Sequence, residues 1–393
     1  MIPETFSWIA GCTLALAWFS RIVEAAIGMP QIADVALPEW DRNPPTPAGE
    51  PRISIIVPAR NEQQDIRATL GSLLALDYSD YEIIAVNDRS TDATGEQMEQ
   101  VAAAAAARGH LRVLHISELP RRWLGKTHAM WTAAKEATGD WVLFTDADVF
   151  FKPDSVRRVV AYAEAEKADH VVLFPRMIMK GPGEGMMIAF FQALFVFGHR
   201  PWKVADPEAN DHMGVGAFNM IRRSVYEAVG TYQALRMEVL DDMKLGKVVK
   251  NAGYAQRNVF GEDLISLHWA KGAFGIVNNL TKNFFAILSF QWPRTVASVL
   301  ALAFLNLGPF VGVWLAHGWA RVPCAIAVLS MFGIYCGMSR RSDVSPYYFF
   351  LHPVSTTLFM YTLVRSMVHT LVNDGIVWRG TKYSLEELRR GMV

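Results

Sequence analysis

Three stretches in the last third of the chain are too apolar to be left in water. "VASVLALAFLNLGPFVGVWLA" (296–316) and "VPCAIAVLSMFGIYCGM" (322–338) carry no charge; 344–364 carries none either, with Asp343 just before it and His352 inside. About 20 such residues let a helix cross the hydrocarbon of a bilayer, so these read as three membrane spans. Residues 6–19, "FSWIAGCTLALAWF", are also uncharged. Extended to about residue 28 with Arg21 snorkelling, they read as an N-terminal anchor. Glu4 stands where a signal peptide would be basic. "AFGIVNNLTKNFFAILSFQW" (273–292) is amphipathic and ends on Trp, the pattern of a helix lying in the interface.

Composition agrees with a chain that is only partly soluble. Hydrophobic residues make up 51%, with 12 Trp and 22 Phe, and the excess is uneven along the sequence. Lys+Arg and Asp+Glu are both 38, so there is no basic excess to hold nucleic acid. Cys12, Cys324 and Cys336 lie in apolar runs without metal-type spacing and read as small buried hydrophobes.

Residues 53 to about 265 have a different grammar. "ISIIV" (53–57), "YEIIAV" (81–86), "LRVLHI" (111–116), "DWVLFTDA" (140–147) and "HVVLF" (170–174) are short runs rich in Val and Ile, the mark of buried strands. Helical segments fall between them at 62–75, 92–107, 126–137 and 153–167, the last opening on "KPDS". Strand alternating with helix predicts an α/β domain with a mainly parallel sheet covered on both faces. The Pro-rich "PEWDRNPPTPAGEPR" (38–52) reads as a linker into it.

A parallel sheet binds ligands at the carboxyl ends of its strands. There stand "PARNE" (58–62), "NDRSTD" (87–92) and "DAD" (146–148). Each alone has a plain structural reading; Ser90, Thr91 or Asp92 would serve as a helix cap. Three acidic clusters at one sheet edge are harder to reach by chance. On a strand, Asp146 and Asp148 point to the same side about 7 Å apart. Two carboxylates so placed repel, and a hard cation such as Mg²⁺ or Mn²⁺ with substrate phosphate removes the penalty.

"SIIVPARNE", "NDRSTD", "LGKTHAM", "FTDADV" and "VLDDMKLG" occur in the order found in family 2 glycosyltransferases, which the chain resembles over roughly residues 50–290. The resemblance implies a GT-A fold for a nucleotide-diphosphate sugar donor. The apolar segments and "VWRGTKY" (377–383) are similar to its membrane-bound branch, which includes hopanoid-associated and carotenoid glycosyltransferases. Carried over by motif, Pro58, Ala59, Asn61 and Glu62 would hold base and ribose, Asp88 would meet the nucleoside, and Lys126 would lie near the donor. Asp146 and Asp148 would bind metal and diphosphate. Asp241 and Asp242 match the later acidic pair, with Asp242 as general base. Asn87 departs from the pattern, which often has a second acid there. The Gln-x-x-Arg-Trp motif of processive synthases is absent, which favours single transfer.

Other residues have weaker signals. Gly214 and Gly216 in "GVGAFNMIRR" (214–223) would let backbone approach a sugar, or would form a tight turn into a helix near 224. His268 would approach metal or diphosphate, or is a packed core histidine. Trp378, Arg379 and Tyr383 would close the site, or anchor the chain at the interface. The expected layout is an anchor (1–28), a linker (29–52), the GT-A domain (53–270), an interfacial segment (271–295), a transmembrane region (296–372) and a tail (373–393). The expected activity is inverting transfer to a hydroxyl of a lipid acceptor at a membrane, a bacterial inner membrane with the catalytic domain in the cytoplasm. Polyprenyl phosphate as acceptor, or a non-catalytic domain, are the rival readings. A third C-terminal span would put Arg379, Lys382, Arg389 and Arg390 outside, against the positive-inside rule.

Overall fold

Ile53–Ala59 (β1) is buried at every position. A strand apolar on both faces belongs in the middle of a sheet with both faces covered. The computed structural model, which describes residues 4–44, 49–106, 109–261 and 263–392, puts it there. The strands that follow are Tyr81–Asp88 (β2), Leu111–Ile116 (β3), Trp141–Phe144 (β4), Val149–Phe151 (β5), His170–Leu173 (β6), Arg176–Met177 (β7), Asn219–Arg222 (β8), Gln256–Val259 (β9) and Ile265–Leu267 (β10). Seven of them form one sheet in the order β3-β2-β1-β4-β8-β6-β9. β1, β2, β3 and β4 run parallel; β8 is antiparallel to both β4 and β6. β5, β10 and β7 make a second, small sheet.

The expected strands are all present, and helices Ile66–Leu74, Thr94–Ala104, Gly125–Ala134 and Ser155–Ala165 fill the gaps between them. β7, β8, β9 and β10 were not legible. They are two to four residues long, and a run that short carries no measurable period. β8 in particular occupies "NMIR", where a turn into a helix was expected. The core behind the sheet joins Ile56, Ile84, Val142 and Phe144 to Ala129 and Met130 of the helix Gly125–Ala134, and to Leu245 and Val249 of the helix Asp241–Asn251. Sheet and both site-bearing helices therefore share one packed interior.

The chain divides into two compact units. The sheet unit is Ile32–Ile178, Lys203–His268 and Arg379–Val393. It takes in most of the Pro-rich connector, whose residues 45–48 lie outside the described residues. Where a loose linker was expected, the N–H of Val35 donates to the Phe260 carbonyl at 2.8 Å, and Arg158 donates to the carbonyls of Val35, Ala36 and Leu37. Val35 is fully buried and Trp40 meets Tyr162 edge-on, so the segment is packed wall rather than tether.

The other unit is Met1–Gln31, Met179–Trp202 and Trp269–Trp378. Among the described residues three of its helices are long and apolar enough to cross a membrane: Glu4–Gln31, Trp292–Leu315 and Gly318–Met338. The expected span at 344–364 is not one of them. Its helix starts at His352, runs to Val372, and includes Arg365 and His369, and it buries Ser355, Thr356, Thr362, Ser366 and Thr370. Small residues let the first and third helices approach closely. A side chain at Gly333 would strike Ile22, and one at Gly11 would press on Pro323 and Cys324. A π-helical turn at Ala303–Leu307 frees backbone groups, and Trp18 Nε1–H satisfies the Leu305 carbonyl at 2.8 Å. The cysteines are free; Cys324 is buried as expected, whereas Cys12 is exposed on its apolar helix.

Ile56→Ala should leave a cavity at the centre of the sheet and cost about 2–5 kcal/mol. Thermal unfolding of the detergent-solubilised variant should occur several degrees below that of the wild type; an unchanged midpoint contradicts the placement of β1 in the core.

Candidate active site

Lys126 sits in the first turn of the helix Gly125–Ala134. Its ammonium is 2.8 Å from Asp146 Oδ1 and 3.4 Å from Asp241 Oδ2. Burial alone would lower its pKa, but the carboxylates of Asp146, Asp241 and Asp242 outweigh that and hold it charged. In return, burial pushes Asp241 well above the usual carboxylate range, with Asp242 and Asp146 adding repulsion against the pull of Lys126.

Asp146 and Asp148 do not end a strand. β4 stops at Phe144 and β5 begins at Val149, so the acids lie in the turn between them, and the alternation argument for their common direction does not apply. The turn is tied residue by residue. Thr145 N–H donates to Ile56 O at 3.1 Å, Asp146 N–H to Gly216 O at 3.0 Å, and Thr69 Oγ1 to Ala147 O at 2.9 Å. Burial, then Asp146 and Glu62, push the Asp148 carboxyl well up. Two crowded carboxylates fit a hard divalent cation. Among the described residues no three His, Cys, Asp or Glu side chains form a ready-made cage, so any cation there would draw further ligands from phosphate and water.

The later acid pair opens the helix Asp241–Asn251. The two side chains diverge: Asp241 is buried on Lys126, whereas Asp242 is partly exposed and accepts from the N–H groups of Met243 and Gly216. Burial raises the Asp242 carboxyl as well. Gly214 and Gly216 are what permit this packing. A Cβ at Gly214 would lie 1.8 Å from the Asp242 carbonyl oxygen, and one at Gly216 would lie 2.6 Å from Asp146 Oδ2.

Behind the pair runs a buried polar chain that the sequence did not announce. His170 Nε2 bonds to Asn219 Oδ1, and His170 Nδ1 is 2.7 Å from Gln256 Nε2. Gln256 Oε1 accepts from Met213 N–H at 2.8 Å, and Asn219 Nδ2 reaches the Asp242 carbonyl at 3.5 Å. These partners assign the Nε2–H tautomer, and full burial holds His170 neutral, its pKa pushed down to about 4. His170, Asn219 and Gln256 sit on neighbouring strands β6, β8 and β9, a register invisible without the sheet.

The other expected residues form the near edge. Pro58 and Ala59 end β1, and the two loops after β1 and β2 are zipped together. Asn61, at φ 57°, accepts from Thr91 N–H at 2.8 Å, and Glu62 N–H donates to Thr94 Oγ1 at 2.8 Å. Asp88 is buried, and Arg89 grips it with Nε at 2.7 Å and Nη2 at 3.1 Å. Asn87 turns instead to His115 and to the Ser90 N–H. Thr94, not 90–92, opens the following helix, with Asp92 accepting from its N–H. His268 follows β10 and, among the described residues, joins no cluster of three ligand-type side chains. Arg379 meets Glu62 at 2.5 Å, whereas Trp378 belongs to the helical unit, where Lys282 Nζ lies 4.5 Å from its ring centre.

Gly214→Ala should disrupt the Asp242 loop and cut turnover at least tenfold, because neither the Asp242 carbonyl nor Met243 N can retreat without moving the helix start. Gly71→Ala is the control: it is an exposed helical position with nothing within 4 Å, and should gain up to about 1 kcal/mol. Equal activity in both variants contradicts the packing described.

Residues 54–230 match the family described as Glycosyl transferase family 2. The 4,4'-diaponeurosporenoate glycosyltransferase of Staphylococcus aureus (strain bovine RF122 / ET3-1) is 21% identical over 388 residues, covering 95% of this chain and all of that protein. Its counterpart in strain MRSA252 is 21% identical over 346 residues, 85% of this chain and 89% of its own. The mannosyltransferase PcManGT from Pyrobaculum calidifontis, solved with GDP-Man and Mn²⁺, superposes with a TM-score of 0.52 at 20% identity, covering 93% of this chain and 99% of that one. Lys126, Asp146 and Asp148 lie inside the matched domain, and Asp241 and Asp242 lie beyond its end. The chain carries a family 2 glycosyltransferase domain on a GT-A fold and is a glycosyltransferase.

Proposed function

We propose that this enzyme transfers a sugar, with inversion, from a nucleotide-diphosphate donor to a hydroxyl of a lipid acceptor at a membrane. The observation that carries the reading is the convergence of Lys126, Asp146, Asp241 and Asp242 at one edge of a sheet, in a chain whose described residues also include three span-length apolar helices. A carotenoid-type acceptor agrees with the names of the relatives.

The chain's own groups divide the work. Pro58, Ala59, Asn61, Glu62 and Asp88 would seat the nucleoside, with Asp88 exchanging part of its grip on Arg89. Lys126 would steady the donor's phosphates while keeping Asp241 and Asp146 from repelling. Asp146 and Asp148 would hold Mg²⁺ or Mn²⁺, which when bound offsets charge on the leaving diphosphate. Asp242 would take the acceptor's proton as its oxygen attacks the anomeric carbon. Its raised pKa moves it toward operating pH, where a base works best. A base must be ionised, so turnover should fall as pH drops through a value above the ordinary carboxylate range.

Connectivity supports one membrane arrangement. The sheet unit is built from three chain segments, so all three lie on one side of a bilayer. Between His268 and Arg379 the chain must cross an even number of times. Trp292–Leu315 and Gly318–Met338 are one out-and-back pair, which leaves His352–Val372 without a crossing of its own. Arg340, Arg341, Arg379, Lys382, Arg389 and Arg390 then share the side of the sheet unit, in accord with positive-inside for a cytoplasmic domain. Reporter fusions should read outside at residue 317 and inside at 341 and 393; an outside reading at 393 contradicts this arrangement.

Asp242→Asn keeps size and hydrogen bonding but cannot accept the proton. Turnover should drop roughly 10²–10⁴-fold with donor affinity near normal, and Asp241→Asn should be milder. If Asp241→Asn is the dead variant, the base lies one position earlier. If neither loses turnover, the acceptor is a phosphate that needs no base, as a polyprenyl phosphate would be.

A further inference from the structure

We propose that the C-terminal segment Arg379–Tyr383 forms one wall of the donor site, and that Arg379 binds the diphosphate of a nucleoside-diphosphate donor. This rests on the donor site proposed above and adds a residue to it from the far end of the chain. The segment belongs to the sheet unit. It touches each of the three elements that would surround a donor. At the end of β1, Arg379 Nη1 donates to Arg60 O at 3.1 Å, Arg379 Nη2 donates to Glu62 Oε1, and Arg60 Nη1 reaches Thr381 Oγ1 at 3.3 Å. At the end of β2, Arg89 bonds to the Tyr383 hydroxyl. At the start of the Lys126 helix, the Gly125 N–H donates to that same hydroxyl at 3.1 Å.

The segment is fixed, not frayed. Tyr383 is buried, Ser384 caps the helix Leu385–Arg390 by accepting from Glu387 N–H, and Leu388 is fully buried. A Cβ at Gly391 would lie 2.3 Å from that of Met237, so the helix end is seated on the body of the unit. Within it the Arg379–Gly380 turn has φ of 48° and 78°. Glycine adopts the second freely, but a left-handed arginine costs of order 1 kcal/mol or more and persists only where its surroundings hold it.

Charge indicates the ligand. Arg60 lies near enough to Arg89 and to Arg379 for its guanidinium to be repelled by both, and Arg60 Nε is buried without a partner. Arg89 and Arg379 are each matched to a carboxylate, Asp88 and Glu62, yet a guanidinium has donors to spare beyond such contacts. Three guanidiniums at the strand ends, one with an unspent buried donor, suit an anion with several oxygens, and a diphosphate lying between Asp88 and Asp146 is such an anion.

The test is calorimetric binding of UDP and of GDP, each with Mn²⁺, to the full chain in nanodiscs. Wild type should bind one of them. Arg379→Ala should weaken that binding roughly 10- to 100-fold, Arg379→Lys should recover part of it, and Tyr383→Phe should weaken it less. Affinity for the matching nucleoside without phosphates should not change, which separates a phosphate contact from general damage. Arg390→Ala, exposed on the terminal helix, should bind like wild type. If Asp148→Ala abolishes binding while Arg379→Ala and Arg379→Lys bind like wild type, the wall proposal is overturned and the donor site stands. If wild type binds neither nucleotide, the donor site itself fails.

Discussion

One ammonium among carboxylates organises this site. Asp146, Asp241 and Asp242 come from two distant parts of the chain, and bringing their charges together where they are partly buried is strongly unfavourable unless something positive stands between them. Lys126 is that positive group, 2.8 Å from one acid and 3.4 Å from another. It is fixed in turn by its helix, whose inner face packs into the same core as the sheet and the Asp241 helix. The acids therefore keep their positions because hydrophobic packing and electrostatics agree. A divalent cation and a diphosphate would join a cluster in which Lys126 already offsets part of the acids' charge.

Backbone contacts supply the precision. Gly214 brings a loop against the start of the Asp241 helix, and Gly216 brings the same loop against the Asp146 carboxylate, at distances no side chain allows. His170, Asn219 and Gln256 then fasten that loop and helix start from below through one buried, neutral hydrogen-bonded chain. Buried polar chains of this kind are costly when incomplete and rigid when satisfied. The difference between Asp241 and Asp242 follows from this: one is locked onto Lys126, and the other is left partly open with backbone donors at its oxygens.

The two units interleave along the sequence. The chain leaves the sheet unit at Ile178 and returns at Lys203, leaves again after His268, and returns at Arg379. An apolar helix at Pro182–Gly198, 17 residues long, is thus an excursion from the middle of the catalytic unit.

Local pattern was enough for the parallel half of the sheet, its helices and the acidic motifs. Five Val/Ile-rich runs and "PARNE", "NDRSTD", "DAD" and "VLDDMK" are dense signals that a few neighbouring residues carry. Membrane affinity was legible for the same reason, since hydropathy is a local sum. What failed depends on partners distant in sequence. Strands of two to four residues exist only because a neighbour pairs with them. The helix His352–Val372 looked like a span until its buried hydroxyl face was matched to other helices. Asp146 and Asp148 were read as pleated neighbours because the break between β4 and β5 is set by Ile56, Gly216 and Thr69, residues 70 or more positions away. That Lys126 joins two acid pairs, that Asp242 rather than Asp241 is open, and that Arg379 reaches Glu62 across 317 residues were decided by tertiary structure alone. The sequence determined which groups were available, and the packing of the sheet decided which of them meet, because contact between distant residues is a property of the folded core and not of any window of the chain.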